Sequence, residues 1–461
     1  MKRLLPLLVL VVACCAGERP RRTLPPPPPA PAPPAPVAPP QPGALNRGVV
    51  ELEVAGVKVI YKRRPNDDIV VCNLLLKGGS RNLTRESAGI EMLALTVGTE
   101  GGTTRLDKDQ LAARLESLGS QIDGNADRDY STITLSTIRQ SFSEAWDVFD
   151  DVLGNAAFPD DQVALHKERQ LTLIRRIPDE PDEYVGQLAA ESAFEGHAYL
   201  NRQLGFEASV APLDAARLRR YWRELVTRDR ALVVVVGDVD ESVLRAKLEA
   251  TLGALPETGP GGPWADQRPP VLPIDRAAVR FEARELPTTY VLGMYAGPPA
   301  MSPDYAPLVM AVRILSNRFF EEVRTKRNLT YAVSARLANS LANYGHIYTT
   351  AQDPQRTVGV MFDEVERIQN EPVSDRDLQD QINLYLTGYY MDLQTNAAQA
   401  ELLGHWELVA GGREYADQMI ERLRAVTVPG VQRAARQYLA RFRFGVIGPQ
   451  ARFSEPFFRS H

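Results

Sequence analysis

Histidine and cysteine are scarce in this sequence, whose 461 residues include five histidines and three cysteines. Cys14 and Cys15 lie near the N-terminus, so only Cys72 remains in the rest of the chain and no disulfide framework is expected. Cys72 lies in an apolar strand pattern and is predicted to be a buried thiol. No two histidines have metal-ligand spacing on one predicted helix, which argues against a helical zinc site. We interpret His197 and His405 as structural residues.

The sequence also lacks an excess of one charge and a long apolar run. A net charge of −5 from mixed signs gives no basis for a nucleic-acid partner. The apolar residues 4–13 are too few to span a bilayer, and they end in a pattern that resembles a bacterial lipobox. This pattern predicts a lipoprotein signal peptide, residues 1–13, and lipidation of Cys14, with a plain signal peptide as the alternative. We expect a periplasmic protein at the cell envelope, held to the outer membrane by its lipid alone.

Proline is concentrated in residues 25–42, which contain 12 prolines in 18 positions. Such a tract cannot form a helix or a sheet and favours extended polyproline II, at about 3.1 Å per residue. We predict that residues 14–46 form a disordered, semi-rigid spacer between a membrane and a folded body. A ligand for a proline-binding signalling domain is the alternative.

The remaining chain is long enough for two or more domains, and the order of its elements repeats in outline. A helix followed by an apolar strand ends at Gly237 and again at Gly448. A helix, a turn with Pro and Asp, and a second helix occur in residues 145–170 and 361–381. These patterns predict tandem homologous domains at 47–255 and 275–450, joined by a Pro/Gly linker at 256–274 and followed by a tail at 451–461.

Hydrophobic periodicity predicts the individual elements. The predicted strands are 50–54, 57–61, 69–76, 130–138, 231–237, 288–295, 329–336, 345–352 and 442–448. The predicted helices, besides one near residue 90, are 107–118, 142–153, 160–176, 185–194, 214–225, 305–323, 358–369, 375–393 and 428–439. Strands and helices in this mixture indicate an α+β protein.

The helix near residue 90 is notable for the chemistry that it does not carry. Met92, Leu95 and Thr96 stand at i, i+3 and i+4, so they share one helix face. A zinc-peptidase helix uses this spacing for two histidines that bind the metal and a glutamate that activates water. None of the three residues is a credible ligand or base. By itself, the segment is interpreted as an ordinary buried helix.

Three other segments carry a family resemblance. Residues 317–331 place Arg324 and Tyr331 seven positions apart, residues 77–81 read KGGSR, and residues 196–199 read GHAY. Together they resemble the pitrilysin/insulinase family of zinc metallopeptidases, in particular its two-domain, processing-peptidase-like members. The resemblance implies two α/β domains of the LuxS-like metalloenzyme type, each with a mostly antiparallel sheet packed by helices, which form a clamshell.

The resemblance also implies a degenerate zinc site. Active members carry His, Glu and His where this chain has Met92, Leu95 and Thr96, and a second helix supplies a glutamate as the third ligand. The corresponding run here begins with Thr172 and Leu173. We therefore expect no metal and no catalytic residue in this chain, so that zinc would be present only in a partner.

In the family, an arginine and a tyrosine at the positions of Arg324 and Tyr331 reach an active site in an opposing domain. Both side chains can stabilise negative charge on a tetrahedral intermediate. The alternative is an arginine in a surface ion pair and a half-buried tyrosine. Asn328 replaces the family's usual glycine, and asparagine is the residue that next best tolerates a left-handed turn.

These inferences lead to two hypotheses about function. In the first, the chain is the non-catalytic subunit of a heterodimeric zinc protease, and it supplies Arg324 and Tyr331 for peptide binding to a homologous, zinc-bearing partner. In the second, it is a peptide-binding or structural envelope lipoprotein without a proteolytic role. An enzyme with a relocated metal site is a third and weaker hypothesis.

Overall fold

The computed structural model describes Gly43 and residues 45–461. The predicted signal peptide, the lipidation of Cys14 and nearly all of the predicted spacer lie outside this part of the chain. Among the described residues, no helix is both long enough and apolar enough to cross a membrane.

The folded body includes the last two residues of the predicted spacer. Leu45 is fully buried, and its carbonyl oxygen accepts a hydrogen bond of 2.6 Å from Lys62 Nζ. The Asn46 amide donates to Asp417 Oδ2 at 2.7 Å and to the Arg413 carbonyl oxygen at 3.2 Å. The spacer boundary at residue 46 is therefore wrong by two residues, because both residues pack against the folded body.

The first domain contains six strands and eight α-helices. In chain order these are β1 (Val49–Val54), β2 (Val57–Arg63), β3 (Ile69–Lys77), α1 (Ile90–Glu100), α2 (Lys108–Ser117), β4 (Gln121–Ala126), β5 (Tyr130–Ile138), α3 (Phe142–Asn155), α4 (Asp160–Arg176), α5 (Pro181–Ala193), α6 (Glu207–Val210), α7 (Ala215–Leu225), β6 (Ala231–Gly237) and α8 (Glu241–Ala254).

The second domain contains five strands and seven α-helices. They are β7 (Ala278–Ala283), β8 (Thr289–Ala296), α9 (Tyr305–Phe319), β9 (Val333–Leu337), β10 (Tyr344–Ala351), α10 (Pro354–Asn370), α11 (Asp375–Asp392), α12 (Asn396–Val409), α13 (Tyr415–Arg424), α14 (Val428–Tyr438), β11 (Arg443–Gly448) and α15 (Glu455–Arg459). A π-helical turn, Phe320–Thr325, extends α9 directly.

The two sheets have the same topology, which confirms the predicted pair of tandem α/β domains. The strand orders are β1-β2-β6-β3-β5-β4 and β7-β11-β8-β10-β9. Each sheet has one parallel pair, β2 with β6 and β7 with β11, and its other pairs are antiparallel. Apart from the extra edge strand β1, each strand of one sheet has a counterpart in the other.

Each domain contributes one helix that packs on the sheet of the other domain. Helix α12 of the second domain packs on β3 and β6 of the first sheet, and α5 of the first domain packs on β8 and β11 of the second. Helices of the first domain cover the opposite face of the first sheet. Strand β6 is consequently buried along its whole length. This two-sided cover explains its continuous apolar sequence, which is typical of a strand buried on both faces.

The segment between the domains and the C-terminal segment are both fastened to the body. Residues 255–277 form no helix or strand apart from an isolated bridge, and the Trp264 amide donates to Asp229 Oδ2 at 2.7 Å. At the C-terminus Phe458 is fully buried, and the Phe453 ring stacks on Phe281 with centroids 4.0 Å apart. The interpretation of residues 451–461 as a tail is wrong, because these aromatic side chains belong to the second domain's core.

Candidate functional site

Helix α1 is fixed tightly against its own domain. It starts after Gly89, whose φ of 89° lies in the left-handed region. The Gln170 amide of α4 donates to the Gly89 carbonyl oxygen at 3.0 Å. A Cβ atom on Gly124 of β4 would lie 2.9 Å from the Leu95 carbonyl oxygen, so α1 and β4 approach as closely as glycine permits. These contacts leave α1 little room to shift relative to β4 and α4.

The three positions predicted to replace zinc ligands do not fit a metal. Leu95 is fully buried, whereas Met92 and Thr96 are half-buried. The Thr96 hydroxyl donates to the Met92 carbonyl oxygen at 2.9 Å, and so satisfies its polar group within the helix. A thioether, an aliphatic chain and this hydroxyl supply neither a ligand set nor a base. Within residues 45–461, no cluster of three or more His, Cys, Asp or Glu side chains could hold a metal ion.

The residues predicted as the lost third ligand lie on the exposed side of α4. Leu173 is 51% exposed, and Thr172 is exposed as well. The α4 side chain that bonds to the start of α1 is Gln170, and Ile174 packs at the edge of the same core as Met92. Residues 170 and 174 are one helical turn apart, so the face of α4 toward α1 carries Gln170 and Ile174 and not the predicted Thr172 and Leu173.

A buried carboxylate next to these positions was also missed by the sequence reasoning. Glu91 is 1% exposed, and its two oxygens accept hydrogen bonds from the Ser131 hydroxyl of β5 and the Tyr221 hydroxyl of α7. Burial, together with the neighbouring Glu91 charge, raises the pKa of Tyr221 well above its ordinary value. A glutamate in the first turn of a helix gives no sequence signal for this contact, which ties α1 to a strand and a second helix.

The first-domain segments that carry the family resemblance form a tie between the domains. The Tyr199 hydroxyl donates to Asp129 at 2.6 Å, and the Leu341 amide of the second domain donates to the same carboxylate at 2.9 Å. The Arg81 guanidinium forms ion pairs with both Asp129 and Asp266: its Nε lies 3.5 Å from Asp129 Oδ1, and its Nη2 lies 2.7 Å from Asp266 Oδ1. Burial raises the pKa of Asp129, against the opposing effect of these donors.

His197 belongs to this tie as well. Its Nδ1 accepts a hydrogen bond from the Tyr199 amide at 3.1 Å, and its Nε2 lies 3.0 Å from the Pro270 carbonyl oxygen. The ring therefore joins residues 196–199 to the segment between the domains, which is a structural role.

Arg324 and Tyr331 are brought together by the π-helical turn and the reversal that follows. The amide of Lys326 donates to the Glu321 carbonyl oxygen at 2.9 Å, the i to i−5 bond of a π-helix. Asn328 then adopts φ 49°, the left-handed conformation expected for it. The chain turns back, and the Tyr331 ring centroid lies 4.4 Å from the Arg324 guanidinium carbon.

Arg324 differs from its basic neighbours in its partners. Lys326 and Arg327 bind the Glu322 carboxylate at 2.8 and 2.6 Å, and these hydrogen bonds lower the pKa of Glu322. Among the described residues, no carboxylate pairs with Arg324, and Tyr331 is 82% exposed. The alternative expectation of a surface ion pair and a half-buried tyrosine is therefore wrong. The turn presents one uncompensated guanidinium beside one exposed phenol.

This pair does not pack on α1. The elements in extensive contact with α1 are β4, α2, α3, α4 and α7, all in the first domain. The π-helical turn contacts α9, α10 and β9, all in the second domain. Each of the two sites is thus built within its own domain.

Two family models match the chain, one in each half. The model described as "Insulinase (Peptidase family M16)" matches residues 58–205, and the model "Peptidase M16 inactive domain" matches residues 212–385. The chain belongs to peptidase family M16. Arg324 and Tyr331 fall within the region matched by the second model of this M16 protein, and the degenerate helix α1 falls within the first.

Known relatives agree with this assignment over most of the chain. An uncharacterized zinc protease of Bacillus subtilis, YmxG, is 21% identical over 86% of this chain and 96% of its own length. The mitochondrial-processing peptidase subunit beta of Lentinula edodes is 22% identical over 83% of this chain and 86% of its own. A crystal structure of a peptidase M16 inactive domain from Pseudomonas fluorescens superposes with a TM-score of 0.79 at 21% identity, over 87% of this chain and 98% of that one.

Proposed function

We propose that this M16 chain is the non-catalytic subunit of a peptide-degrading or processing heterodimer. It contributes Arg324 and Tyr331 to the binding of peptide substrate, and a homologous partner chain carries the zinc and the general base. The observation that carries the proposal is the contrast between the two sites. Positions 92, 95 and 96 of α1 carry no metal ligand, whereas Tyr331 is exposed, Arg324 is half-buried beside it, and no carboxylate within the described chain pairs with Arg324.

The chemistry of the pair suits this role. A guanidinium and a phenol are both hydrogen-bond donors, and a guanidinium is a planar fork that can donate two bonds in one plane. Such donors bind a backbone carbonyl oxygen of the peptide in the ground state and keep that hydrogen bond during the reaction.

The arrangement of the two domains supports a second chain. Helices α5 and α12 occupy the sheet faces at which the domains meet, so those faces are not open to a substrate. A peptide chamber is then more readily built against a second molecule than within this one. The name of the Lentinula edodes relative describes a subunit of a peptidase, which is consistent with a multi-chain enzyme.

The test is a peptidase assay on this chain, on the partner with an intact His/Glu/His helix, and on their mixture. We expect activity in the mixture only, with a loss of at least about tenfold for Arg324→Ala, because one charge-assisted hydrogen bond is worth about 1.5–3 kcal/mol. Tyr331→Phe should reduce activity less. Lys326→Ala is the matched control. Lys326 lies two positions after Arg324 and carries the same charge, but its ammonium group is already paired with Glu322.

Full activity of the partner alone would refute the proposed function. The second candidate is then an envelope lipoprotein that captures peptides or serves as a structural component, and the exposed Tyr331 ring would favour peptide capture.

The lipid anchor at Cys14 and the outer-membrane location remain part of the proposal. Palmitate labelling of the cells, compared between the natural chain and Cys14→Ser, tests the anchor directly.

A further inference from the structure

A second aromatic ring lies against Arg324. The Arg324 guanidinium carbon is 4.8 Å from the centroid of Phe320 and 4.4 Å from that of Tyr331, so two rings contact one cation. Phe320 is 46% exposed, so one side of its ring faces solvent while Arg324 lies against the ring. The adjacent Phe319 is fully buried in the core of the second domain. The chain thus uses one phenylalanine for packing and the next for contact with Arg324.

The π-helical turn explains how Phe320 reaches this place. Phe320 is the first residue of the turn and Arg324 is the fifth, so the two side chains follow one another along one side of it. The Thr325 hydroxyl donates to the Phe320 carbonyl oxygen at 3.2 Å, which holds the ends of the turn together. The ion pairs of Glu322 with Lys326 and Arg327 brace the opposite side.

We propose that Phe320 is a positioning residue, which together with Tyr331 holds the Arg324 guanidinium in a fixed orientation for a backbone carbonyl of a bound, extended peptide. This inference deepens the proposed function and rests on it. Cation–π contacts with the two rings limit the rotation of a long side chain that has no ion pair. With its carbon held against two rings and no carboxylate bound, the guanidinium keeps N–H groups that can donate to an acceptor.

The consequence is a preorganised donor. An arginine that is free in solvent must lose rotamer freedom when it binds, which weakens the interaction. An arginine already held by Phe320 loses less, so the affinity for peptide is higher with the ring than without it. Phe320 does not touch the substrate carbonyl in this arrangement. It acts on KM through Arg324.

The test compares Phe320→Ala, Phe320→Leu and Phe320→Tyr in the full chain mixed with its zinc-bearing partner. Phe320→Ala and Phe320→Leu should raise KM about two- to fivefold with kcat little changed, as expected for the loss of one exposed cation–π contact. Phe320→Tyr should restore the natural KM, because it retains the ring. Thermal unfolding of each variant checks that the fold is intact.

A second measurement needs no partner. In the isolated chain, ¹⁵N relaxation of the Arg324 Nε–Hε group should show a lower order parameter in Phe320→Ala and Phe320→Leu than in the natural chain and Phe320→Tyr. If Arg324→Ala abolishes activity while Phe320→Ala changes neither KM nor the order parameter, Phe320 has no positioning role and the proposed function stands. If the mixture does not depend on this chain, the proposed function fails, and with it the role of Phe320 in substrate binding.

Discussion

At the scale of single residues, one face of α1 is part of the first domain's core. Leu95 stands where active relatives are expected to carry the glutamate that activates water, and here it is fully buried between α1 and β4. The hydroxyl of Thr96 and the carboxylate of Glu91 are both satisfied by hydrogen bonds inside the domain. A carboxylate at position 95 would therefore oppose the packing.

Leu95→Glu tests this description. A carboxylate at a fully buried position without a partner costs several kcal/mol, so we expect the free energy of unfolding to fall by more than about 3 kcal/mol. Leu95→Met should cost less than about 1.5 kcal/mol, because it conserves volume. Denaturant titration measures both. If Leu95→Glu is as stable as the natural chain, this position faces water, as a catalytic glutamate would.

At the scale of elements, the reciprocal packing of α5 and α12 depends on glycines. Gly445 in β11 lies under α5, and a Cβ there would lie 2.6 Å from the Ala189 amide nitrogen, a backbone atom. Gly404 in α12 lies over the first sheet, where a Cβ would lie 2.7 Å from Leu75 Cδ2, the end of a flexible side chain. Each glycine allows a helix of one domain to approach the sheet of the other.

The different neighbours of the two glycines predict different costs of substitution. Gly445→Ala should lower the free energy of unfolding by about 3 kcal/mol, because the backbone of α5 cannot move aside easily. Gly404→Ala should lower it by about 1 kcal/mol, because the Leu75 side chain can move. Gly359→Ala in α10 is the control: nothing lies within 4 Å of its Cβ position, and alanine should stabilise this helix by about 0.5–1 kcal/mol. Equal costs for Gly445→Ala and Gly404→Ala in denaturant titrations would contradict the packing described.

At the scale of the whole molecule, the two domains share buried polar contacts as well as helices. His405 of α12 hydrogen-bonds through Nδ1 to the Tyr130 hydroxyl of β5 at 3.0 Å. Burial lowers the pKa of His405 to about 4, and that of His346 in β10 likewise to about 4. Both rings are consequently neutral in the folded chain at neutral pH, and the first lies at the junction of the domains.

This state of His405 predicts how stability depends on pH. In the unfolded chain His405 has the ordinary histidine pKa of 6.5, whereas in the folded chain its pKa is about 4. Stability is therefore highest above pH 6.5 and falls as the pH drops toward 4, by at most about 1.4 kcal/mol per pH unit for each such histidine. In His405→Gln, which keeps an acceptor for Tyr130, the loss between pH 6.5 and 4 should be smaller. An unchanged loss would show that His405 does not contribute.

The sequence alone predicted the limits of those elements whose hydrophobic periodicity is strong. The hairpin of β1 and β2, the apolar strand β6 and the helices α2, α4 and α9 lie close to their predicted limits. It missed β4, β7 and the helices α6, α8, α12, α13 and α15. Helix α12 is an instructive case, because it is buried against two domains and lacks the one-sided apolar stripe of a surface helix.

The sequence by itself determined which chemistry is possible. A thioether, an aliphatic chain and a hydroxyl at residues 92, 95 and 96 cannot bind zinc or activate water wherever the helix lies, since that follows from their functional groups. Only the tertiary structure decided which polar groups are already used. Glu322 pairs with Lys326 and Arg327, and Arg324 contacts two aromatic rings, because a π-helical turn and a left-handed residue set distances that no spacing in the sequence specifies.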